Sequence, residues 1–277
     1  MGEFDGRVVF ITGGARGQGR SHALAFAEAG ADVALCDSLQ DVASVPYPLA
    51  VEADLKETVS GVEAFGRRCI ALNADVRDTK RLGDAVETAV RELGKIDILI
   101  ANAGILSFGA VEEITDAQWD DMIATNLTGV FKAMRAVVPH MKRQGYGRII
   151  ATSSMGGRFG NPHLGHYVAS KFGVVGLVKT LALELAGDNI TVNAVCPSNV
   201  NSPMVNNRAT YRLFRPDLEE PTAADIREPL IATNKIPVPW VDPSDVSHAM
   251  LTLASERSWY MTGSTVDVGC GTTATMP

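Results

Sequence analysis

The sequence has few cysteines and no excess of positive charge. Four cysteines occur in 277 residues and none forms a C-x-x-C pair, which indicates reduced, packed thiols rather than a disulfide framework. The formal net charge of −7 argues against a nucleic-acid interface, because such an interface needs clustered lysine and arginine. His163 and His166 lie three residues apart without a suitably spaced third ligand, so we predict no metal site.

Long apolar segments are also missing. No apolar run approaches the roughly 18 residues that a membrane-spanning helix needs, and the N-terminus lacks the features of a secretory signal. We therefore predict a cytoplasmic protein that does not bind membranes. The 46% hydrophobic content is sufficient for one sizeable core, and no linker or repeat marks a second domain. We predict a single domain over residues 1–277.

Short apolar runs alternate with amphipathic segments along the chain. Runs rich in Val, Ile and Leu predict strands at residues 8–12, 33–36, 69–72, 96–101, 148–152, 191–195 and 265–268. The segments between them predict helices at residues 17–29, 55–65, 79–93, 117–143, 166–186 and 243–255. This alternation predicts an α/β fold with a Rossmann-type, doubly wound parallel sheet.

Two stretches interrupt the alternation. Residues 38–54 contain Pro46 and Pro48, and we predict an extended loop before the second helix. Residues 198–240 contain six prolines together with apolar residues such as Leu213 and Phe214. We predict that this insertion covers the substrate, because long insertions in compact domains are usually functional. The alternative is a surface excursion that packs on a neighbouring subunit.

A glycine-rich turn follows the first predicted strand. Residues 13–19 read GGARGQG and lead into the first helix. Glycines let the backbone approach a pyrophosphate closely, and the free N–H groups of the helix N-terminus favour its negative charge. The cofactor contacts predicted in this turn are Gly13, Arg16, Gly17, Gln18 and Gly19.

An acidic residue ends the second predicted strand. Asp37 lies eighteen residues after Gly19, where a carboxylate binds ribose hydroxyls and repels a 2′-phosphate. Asp37, with Ser38 beside it, therefore predicts NAD rather than NADP as the cofactor. Arg16 is the opposing signal, because a basic residue in the turn is suited to a 2′-phosphate.

Tyr167 and Lys171 lie four residues apart at the start of a predicted helix, so their side chains share one face. A nearby ammonium lowers the pKa of a phenol from its reference of about 10. Tyr167 can then exchange a proton with an alcohol or carbonyl while hydride moves to or from nicotinamide. Ser154 follows a strand thirteen residues earlier and can bind the reacting oxygen. Ser153 is the alternative candidate for this role, and its side chain is expected to point in the opposite direction.

These motifs together resemble the classical short-chain dehydrogenase/reductase family along nearly the whole chain. The matching words are TGGARGQG at 12–19, NADV at 73–76, ANAG at 101–104, NLTGVF at 126–131, Ser154 and YVASK at 167–171. The resemblance implies that Ser154, Tyr167 and Lys171 form a catalytic triad, extended by Asn126, which would hold a proton-relaying water. It further implies cofactor contacts at Asp75, Val76, Asn102, Ala103, Gly104, Tyr167, Lys171, Pro197, Val200 and Ser202. Residues 197–202 read PSNVNS where the family has P-G-x-[IV]-x-T.

A narrower resemblance is to the actinobacterial, mycofactocin-associated branch of that family, which includes carveol dehydrogenases. It rests on GGARGQGRSHA at 13–23, YPLA at 47–50, VPHM at 138–141, ATYRLFRPDLEEPT at 209–222 and PVPWV at 237–241. The resemblance implies tightly held NAD, a terpene alcohol substrate and a homotetramer built by helix pairing. The apolar residues that fit such pairing, or equally ordinary packing on the sheet, are Val130, Phe131, Met134, Val137, Val174, Val175 and Leu177.

The predicted function is hydride transfer between NAD and a secondary alcohol or ketone, with a terpene alcohol such as carveol as the substrate. One alternative is a reductase of a different hydrophobic ketone. Another is a non-catalytic dinucleotide-binding regulator. A regulator would not need Asn126, Ser154, Tyr167 and Lys171 together, so their joint presence favours an enzyme.

Overall fold

A computed structural model describes residues 2–274, so residues 1 and 275–277 of the domain predicted over 1–277 lie outside the described residues. Within residues 2–274, seven strands form one parallel sheet in the order β3-β2-β1-β4-β5-β6-β7. The strands are β1 (Val8–Thr12), β2 (Asp32–Asp37), β3 (Cys69–Asn73), β4 (Ile98–Ala101), β5 (Gly147–Thr152), β6 (Ile190–Pro197) and β7 (Thr265–Val268). The predicted fold class is confirmed.

Nine α-helices connect or flank these strands within the same described range. They are α1 (Gly17–Glu28), α2 (Glu52–Glu63), α3 (Thr79–Leu93), α4 (Asp116–Ile123), α5 (Gly129–Gln144), α6 (Gly165–Leu185), α7 (Arg208–Phe214), α8 (Arg227–Thr233) and α9 (Pro243–Ala254). The strand order reverses between β1 and β4. Such a reversal opens a crevice at the carboxyl ends of the strands, where ligands of α/β sheets bind.

The single helix predicted over residues 117–143 is wrong. A π-helical segment, Ala124–Thr128, separates α4 from α5. The apolar periodicity continues through this segment, and no glycine or proline lies inside it, so the sequence carries no local signal for the break. The loop predicted over residues 38–54 is also shorter than expected, because α2 begins at Glu52.

Each face of the sheet is covered by a separate apolar cluster. In β1, Val8 and Phe10 point to the face that α3, α5 and α6 cover. Val9 and Ile11 point to the face that α1, α2 and α9 cover. Because alternate residues of a strand face opposite sides, a strand buried on both faces needs the continuous apolar run VVFIT.

Subunit burial cannot account for four of the seven apolar residues considered for helix pairing. Val130, Met134, Val137 and Val174 belong to the core cluster beneath α5 and α6. Phe131, in contrast, remains 41% exposed on α5. Packing on the sheet, the alternative considered for these residues, therefore explains the four that are buried.

Ion pairs close the amino-terminal edge of the sheet, opposite the crevice. The fully buried Arg148, at the start of β5, binds Glu256 at 3.3 Å. Its guanidinium lies 4.4 Å from the centre of the Tyr146 ring, and Arg7 lies 3.9 Å from the same ring. Arg7 also binds Asp97 at 3.0 Å.

The insertion 198–240 is attached at both ends and contains α7 and α8. At its start, the backbone N–H of Asn201 donates to the Val241 carbonyl at 2.9 Å. Near its end, the N–H of Lys235 donates to the Cys270 carbonyl at 2.9 Å. In the described part of the chain, no helix has the length and apolar character to cross a membrane.

Candidate active site

The glycine turn between β1 and α1 is closed by contacts that only glycine permits. Gly13 and Gly17 have φ values of 67° and 57°, in the left-handed region that glycine adopts without strain. A Cβ added to Gly19 would lie 1.9 Å from the Gly13 carbonyl oxygen. Gly19 therefore lets α1 start directly against the turn. The N–H of Gly13 donates to the Cys36 carbonyl at 2.8 Å, which fixes the turn to the end of β2.

Asp37 lies beside this turn, at the end of β2. Its Oδ2 accepts a hydrogen bond from the Ala15 N–H at 3.1 Å. Burial raises the pKa of Asp37, and hydrogen bonds from backbone N–H groups counteract the shift. Arg16, the opposing signal in the sequence, donates through Nη2 to the Pro48 carbonyl. That side chain therefore reaches across the cleft to the loop that follows β2.

A cleft of about 150 Å³, which we call the glycine-turn cleft, lies at the carboxyl ends of β1, β2 and β4. Twelve of the predicted cofactor contacts line it. They are Gly13, Arg16, Gly17, Gln18, Asp37, Ser38, Asp75, Val76, Asn102, Ala103, Gly104 and Ser202. Gly19 lies behind the cleft, against Gly13. Pro197 and Val200 line a neighbouring cavity instead.

The loop that follows β2 covers one side of this cleft, which was not predicted from the sequence. Residues 38–51, the roof loop, place Val42, Tyr47, Leu49 and Ala50 along the cleft. The Tyr47 hydroxyl accepts a hydrogen bond from the Leu106 N–H at 3.0 Å. The available signal was the apolar word YPLA, which is unusual in a solvent-exposed, proline-containing loop.

Two buried polar atoms in the cleft fit a bound dinucleotide. The Gln18 Oε1 and Thr125 Oγ1 atoms have no hydrogen-bond partner among residues 2–274, and both residues line the cleft. Buried polar atoms are normally paired, so a ligand rich in hydroxyl and amide groups suits this site. Thr125 was not predicted from the sequence.

Asp75 and Asn102 are held by neighbouring groups at the rim of the cleft. The Arg77 guanidinium donates through Nη2 to Asp75 Oδ2 at 2.8 Å and through Nη1 to Asp121 at 3.1 Å. Asn102 donates through Nδ2 to the carbonyls of Thr12 and Gly13, each at 3.2 Å. Both side chains are thereby fixed in orientation before any ligand binds.

A second cavity, of about 560 Å³, adjoins the cleft and contains the predicted reacting residues. We call it the tyrosine cavity. Ser154, Tyr167 and Lys171 line it, and Pro197 and Val200 form part of the opposite wall. The cleft and the cavity share several lining residues, namely Gln18, Asn102, Gly104, Ile105, Ser202 and Met204.

Lys171 is almost completely buried, with 4% of its surface exposed. Its Nζ donates to the Thr152 carbonyl at 2.8 Å and lies 5.6 Å from the centre of the Tyr167 ring. Burial lowers the pKa of Lys171 to about 8, because removal from water disfavours the charged ammonium.

The pKa of Tyr167 is raised in this structure, contrary to the net decrease expected from the nearby ammonium. Burial raises the pKa of Tyr167, and the hydrogen bond to Ser154 counteracts this shift. The physical reason is that loss of hydration penalises the phenolate, while Lys171 Nζ is held by Thr152. Tyr167 is therefore a protonated acid at neutral pH in this structure.

The two neighbouring serines have different partners. Ser153 is 2% exposed, and its hydroxyl donates to the backbone carbonyl of Lys171 at 3.0 Å, which ties β5 to α6. The Ser154 Oγ accepts from the Gly156 N–H at 3.0 Å. The Ser154 hydroxyl also forms a hydrogen bond with Tyr167, so a reacting oxygen placed between the two groups could accept from both.

The predicted water-holding residue Asn126 lies in the π-helical segment and is fully buried. Its Oδ1 accepts from the Ile105 N–H at 2.8 Å, and its Nδ2 donates to the Ile105 carbonyl at 3.0 Å. A Cβ added to Gly104 would lie 3.4 Å from Asn126 Oδ1 and 3.8 Å from Lys171 Nζ. The Asn126 side chain thus anchors the segment after β4 close to Lys171.

Among residues 2–274, no three His, Cys, Asp or Glu side chains are grouped closely enough to hold a metal ion. The four cysteines, all within that range, are free thiols.

Comparison with known proteins identifies the family. A family model described as short chain dehydrogenase matches residues 7–212. The chain is 47% identical over 275 residues to (−)-trans-carveol dehydrogenase of Rhodococcus erythropolis, and the match covers 99% of both proteins. The chain belongs to the short-chain dehydrogenase family, and the predicted family and oxidoreductase class are confirmed.

Solved structures agree with this assignment. The crystal structure of carveol dehydrogenase from Mycobacterium avium in complex with NAD matches with a TM-score of 0.97 at 44% identity, over 99% of this chain and 100% of that chain. A short chain dehydrogenase from Mycobacterium paratuberculosis bound to NAD matches with a TM-score of 0.89 at 36% identity, over 99% and 100% of the two chains.

Proposed function

We propose that this protein moves hydride between NAD and a secondary alcohol or ketone. The observation that carries the proposal is that the glycine-turn cleft and the tyrosine cavity adjoin each other. The glycine-turn cleft runs into the tyrosine cavity through shared residues such as Gly104 and Ser202. The residues of the cleft would hold a dinucleotide, and Ser154, Tyr167 and Lys171 lie in the cavity that adjoins it.

In the proposed mechanism, the nicotinamide of NAD supplies the carbon that accepts or returns hydride. Ser154 donates a hydrogen bond to the substrate oxygen, without transferring its proton, and holds that oxygen near Tyr167. Tyr167 gives its proton to a carbonyl during reduction and takes one from an alcohol during oxidation. Lys171, buried below the ring, stabilises the phenolate that forms in reduction. Asn126 holds the adjoining segment and the relay water near Lys171.

NAD is the preferred cofactor in this proposal. The Asp37 carboxylate is fixed at the end of β2 by the Ala15 N–H and would repel a 2′-phosphate. The guanidinium of Arg16 is engaged with Pro48 on the roof loop. The NAD-bound structures of two relatives support the same choice.

The substrate in this proposal is a hydrophobic secondary alcohol, with a terpene alcohol such as carveol as the first candidate. Apolar side chains dominate the walls of the tyrosine cavity, among them Leu106, Phe108, Phe159 and Met204. Leu213 and Phe214 of α7 complete the wall, which supports the role of the insertion 198–240 as a substrate cover. The activity named for the Rhodococcus relative supports the terpene class.

The finer expectations of location and assembly belong to the same proposal. We infer a cytoplasmic homotetramer of a single domain, associated with mycofactocin-dependent redox chemistry. The exposed Phe131 and Phe172, which are 41% and 46% exposed on α5 and α6, support pairing of these helices between subunits. Apolar side chains of this size are stabilised when a partner covers them.

The reaction is tested with the Tyr167→Phe variant. We expect turnover of carveol to fall by about 10²- to 10⁴-fold, which is the usual contribution of a general acid or base. NAD binding should be unchanged, because the cleft does not depend on the phenol proton. The matched control is Tyr260→Phe, whose side chain is exposed. Normal turnover by Tyr167→Phe would refute the assignment of the base.

If the wild-type protein turned over no alcohol or ketone, the alternative function, a non-catalytic dinucleotide-binding regulator, would be favoured. The wild-type protein is assayed with NAD and a panel of hydrophobic secondary alcohols that includes carveol. A protein that binds NAD but oxidises none of them, and reduces none of the matching ketones, would refute the enzymatic function. Mass and absorbance measurements on the purified protein report whether NAD is retained.

A further inference from the structure

A buried histidine–serine pair lies directly behind the reacting tyrosine. His166 precedes Tyr167 in the first turn of α6, and its side chain is fully buried. Its Nε2 lies 2.7 Å from the Ser107 Oγ, and Ser107 is itself 2% exposed. The proposed mechanism assigns no step to either residue.

Ser107 belongs to a segment that lines the tyrosine cavity and also contacts the roof loop of the glycine-turn cleft. Its neighbours Leu106 and Phe108 form part of the wall of the tyrosine cavity. The Leu106 N–H donates to the hydroxyl of Tyr47 on the roof loop at 3.0 Å. The segment of Ser107 therefore forms part of the substrate wall, and Leu106 links it to the roof loop.

A second contact joins this segment to the start of α6. The Gly109 N–H donates to the His163 carbonyl at 3.0 Å, and Gly109 forms a parallel bridge with Leu164. This backbone bridge holds the far end of the segment. The pair His166–Ser107 holds its middle, next to the residues that face the substrate.

The hydrogen bonding of this histidine is incomplete. The Nδ1 atom of His166 is buried and has no hydrogen-bond partner in residues 2–274. Burying an unpaired polar atom costs on the order of 1–3 kcal/mol, and an apolar side chain would avoid that cost. A directional hydrogen bond, in contrast, fixes the distance between two elements.

We propose that His166 and Ser107 are positioning residues that hold the substrate wall of Leu106 and Phe108 at a set distance from Tyr167. The inference rests on the proposed alcohol dehydrogenase function. Without the pair, the wall and α6 shift relative to each other, and the alcohol binds with its reacting carbon misplaced. Misplacement by about 1 Å can cost up to 10²-fold in rate. NAD binding is retained, because the glycine turn and Asp37 are elsewhere.

The test uses Ser107→Ala, His166→Leu and their combination. We expect each single variant to lower kcat about 10-fold, with KM for the alcohol and the Kd for NAD changed less than about 3-fold. The double variant should be no slower than the singles, because both lose the same contact. His166→Gln retains a nitrogen near the position of Nε2 and should restore kcat to within about 3-fold of wild type.

The chain offers a matched control in a second buried pair. His22 Nδ1 lies 2.8 Å from Ser247 Oγ, between α1 and α9. Ser247→Ala removes this bond, together with the bonds of Ser247 Oγ to Ser21 and to the Pro243 carbonyl, far from Tyr167, so it should lower the melting temperature and leave kcat unchanged. If Ser107→Ala behaves like Ser247→Ala, or if the effects of Ser107→Ala and His166→Leu are additive, the positioning role is refuted. An inactive wild type would instead refute the proposed function on which the inference rests.

Discussion

Burial is the main influence on the reacting side chains. Lys171 and Tyr167 are both removed from water, and burial disfavours the charged form of each. The pKa of the lysine is lowered to about 8 and that of the tyrosine is raised. The same tyrosine therefore starts as a proton donor and needs a partner charge to become a base. Contacts within the fold also orient the two charged side chains near the glycine turn. The Asp37 carboxylate is held at the end of β2 by the Ala15 N–H, whereas the Arg16 guanidinium binds the Pro48 carbonyl.

Replacing Asp37 should change cofactor preference. In Asp37→Ser, the repulsion of a 2′-phosphate is lost, so the ratio of kcat/KM for NAD to that for NADP should fall by about 10- to 100-fold. Asp41→Ser, on the roof loop, is the matched control, because its Oδ1 accepts from the Leu49 N–H instead of lying at the end of β2. An unchanged ratio in Asp37→Ser would contradict the role of this carboxylate.

His22 should make the protein acid-sensitive. Burial lowers its pKa from 6.5 to about 3, so the unfolded chain binds a proton where the folded protein does not. Stability present above pH 6.5 is therefore lost as the pH falls toward 3. His22→Asn keeps a nitrogen near Nδ1 but cannot titrate. Between pH 7 and pH 5, wild type should lose about 2 kcal/mol of unfolding free energy more than this variant.

The His22 prediction is measured by urea unfolding at the two pH values. The exposed residue His248 provides the control, and His248→Asn should follow the wild-type protein. Equal losses in wild type and His22→Asn would contradict the assignment to His22.

At the scale of secondary-structure elements, the site depends on the π-helical break between α4 and α5 and on the close contact of α1 with the glycine turn. The π-helical segment Ala124–Thr128 interrupts α4–α5 at the point where Asn126 bonds the Ile105 backbone. Such segments often occur at functional sites. The second element is the glycine turn, where α1 meets the end of β1 with no space for a side chain at Gly19.

Adding one methyl group at two helical glycines should give opposite results. In Gly19→Ala, the new Cβ would meet the Gly13 carbonyl, so the turn must open, NAD binding should weaken at least about 10-fold, and stability should fall by about 1–3 kcal/mol. In Gly83→Ala, within α3, nothing lies within 4 Å of the new Cβ. That variant should gain about 0.5–1 kcal/mol.

Isothermal titration with NAD and urea unfolding measure both glycine variants. Tight NAD binding by Gly19→Ala would show that the turn tolerates a side chain, which would contradict the close packing derived for it.

At the scale of the whole molecule, the exposed apolar side chains on α5 and α6 provide a test of the proposed assembly. Phe172→Glu places a charge in the surface proposed to pair between subunits, so the variant should sediment as a smaller species than wild type. The matched control is Phe65→Glu, at a residue just beyond α2 with similar exposure, 47% against 46%. A tetrameric Phe172→Glu variant in sedimentation velocity would contradict helix pairing at this surface.

The elements that the sequence predicted best carry their own local signals. The bounds of β1, β7 and α3 agree with prediction, because apolar runs mark the two strands and an amphipathic pattern between Asp78 and Gly94 marks the helix. The candidate reacting group was also predictable, since Ser154, Tyr167 and Lys171 follow recognisable spacings. The roof loop and Thr125 were not, because their relation to the cleft depends on segments far away in the chain.

The Rossmann-type sheet, the glycine turn and the group of Tyr167 with Lys171 can all be predicted from the sequence, because periodicity and spacing are properties of neighbouring residues. Tertiary structure decided which serine faces the cavity, where the helix breaks at Asn126 and which direction the pKa of Tyr167 moves. It also brought His166 to Ser107 across fifty-nine positions. Burial, desolvation and hydrogen bonding between distant segments exist only after the chain has folded, so no local pattern encodes them.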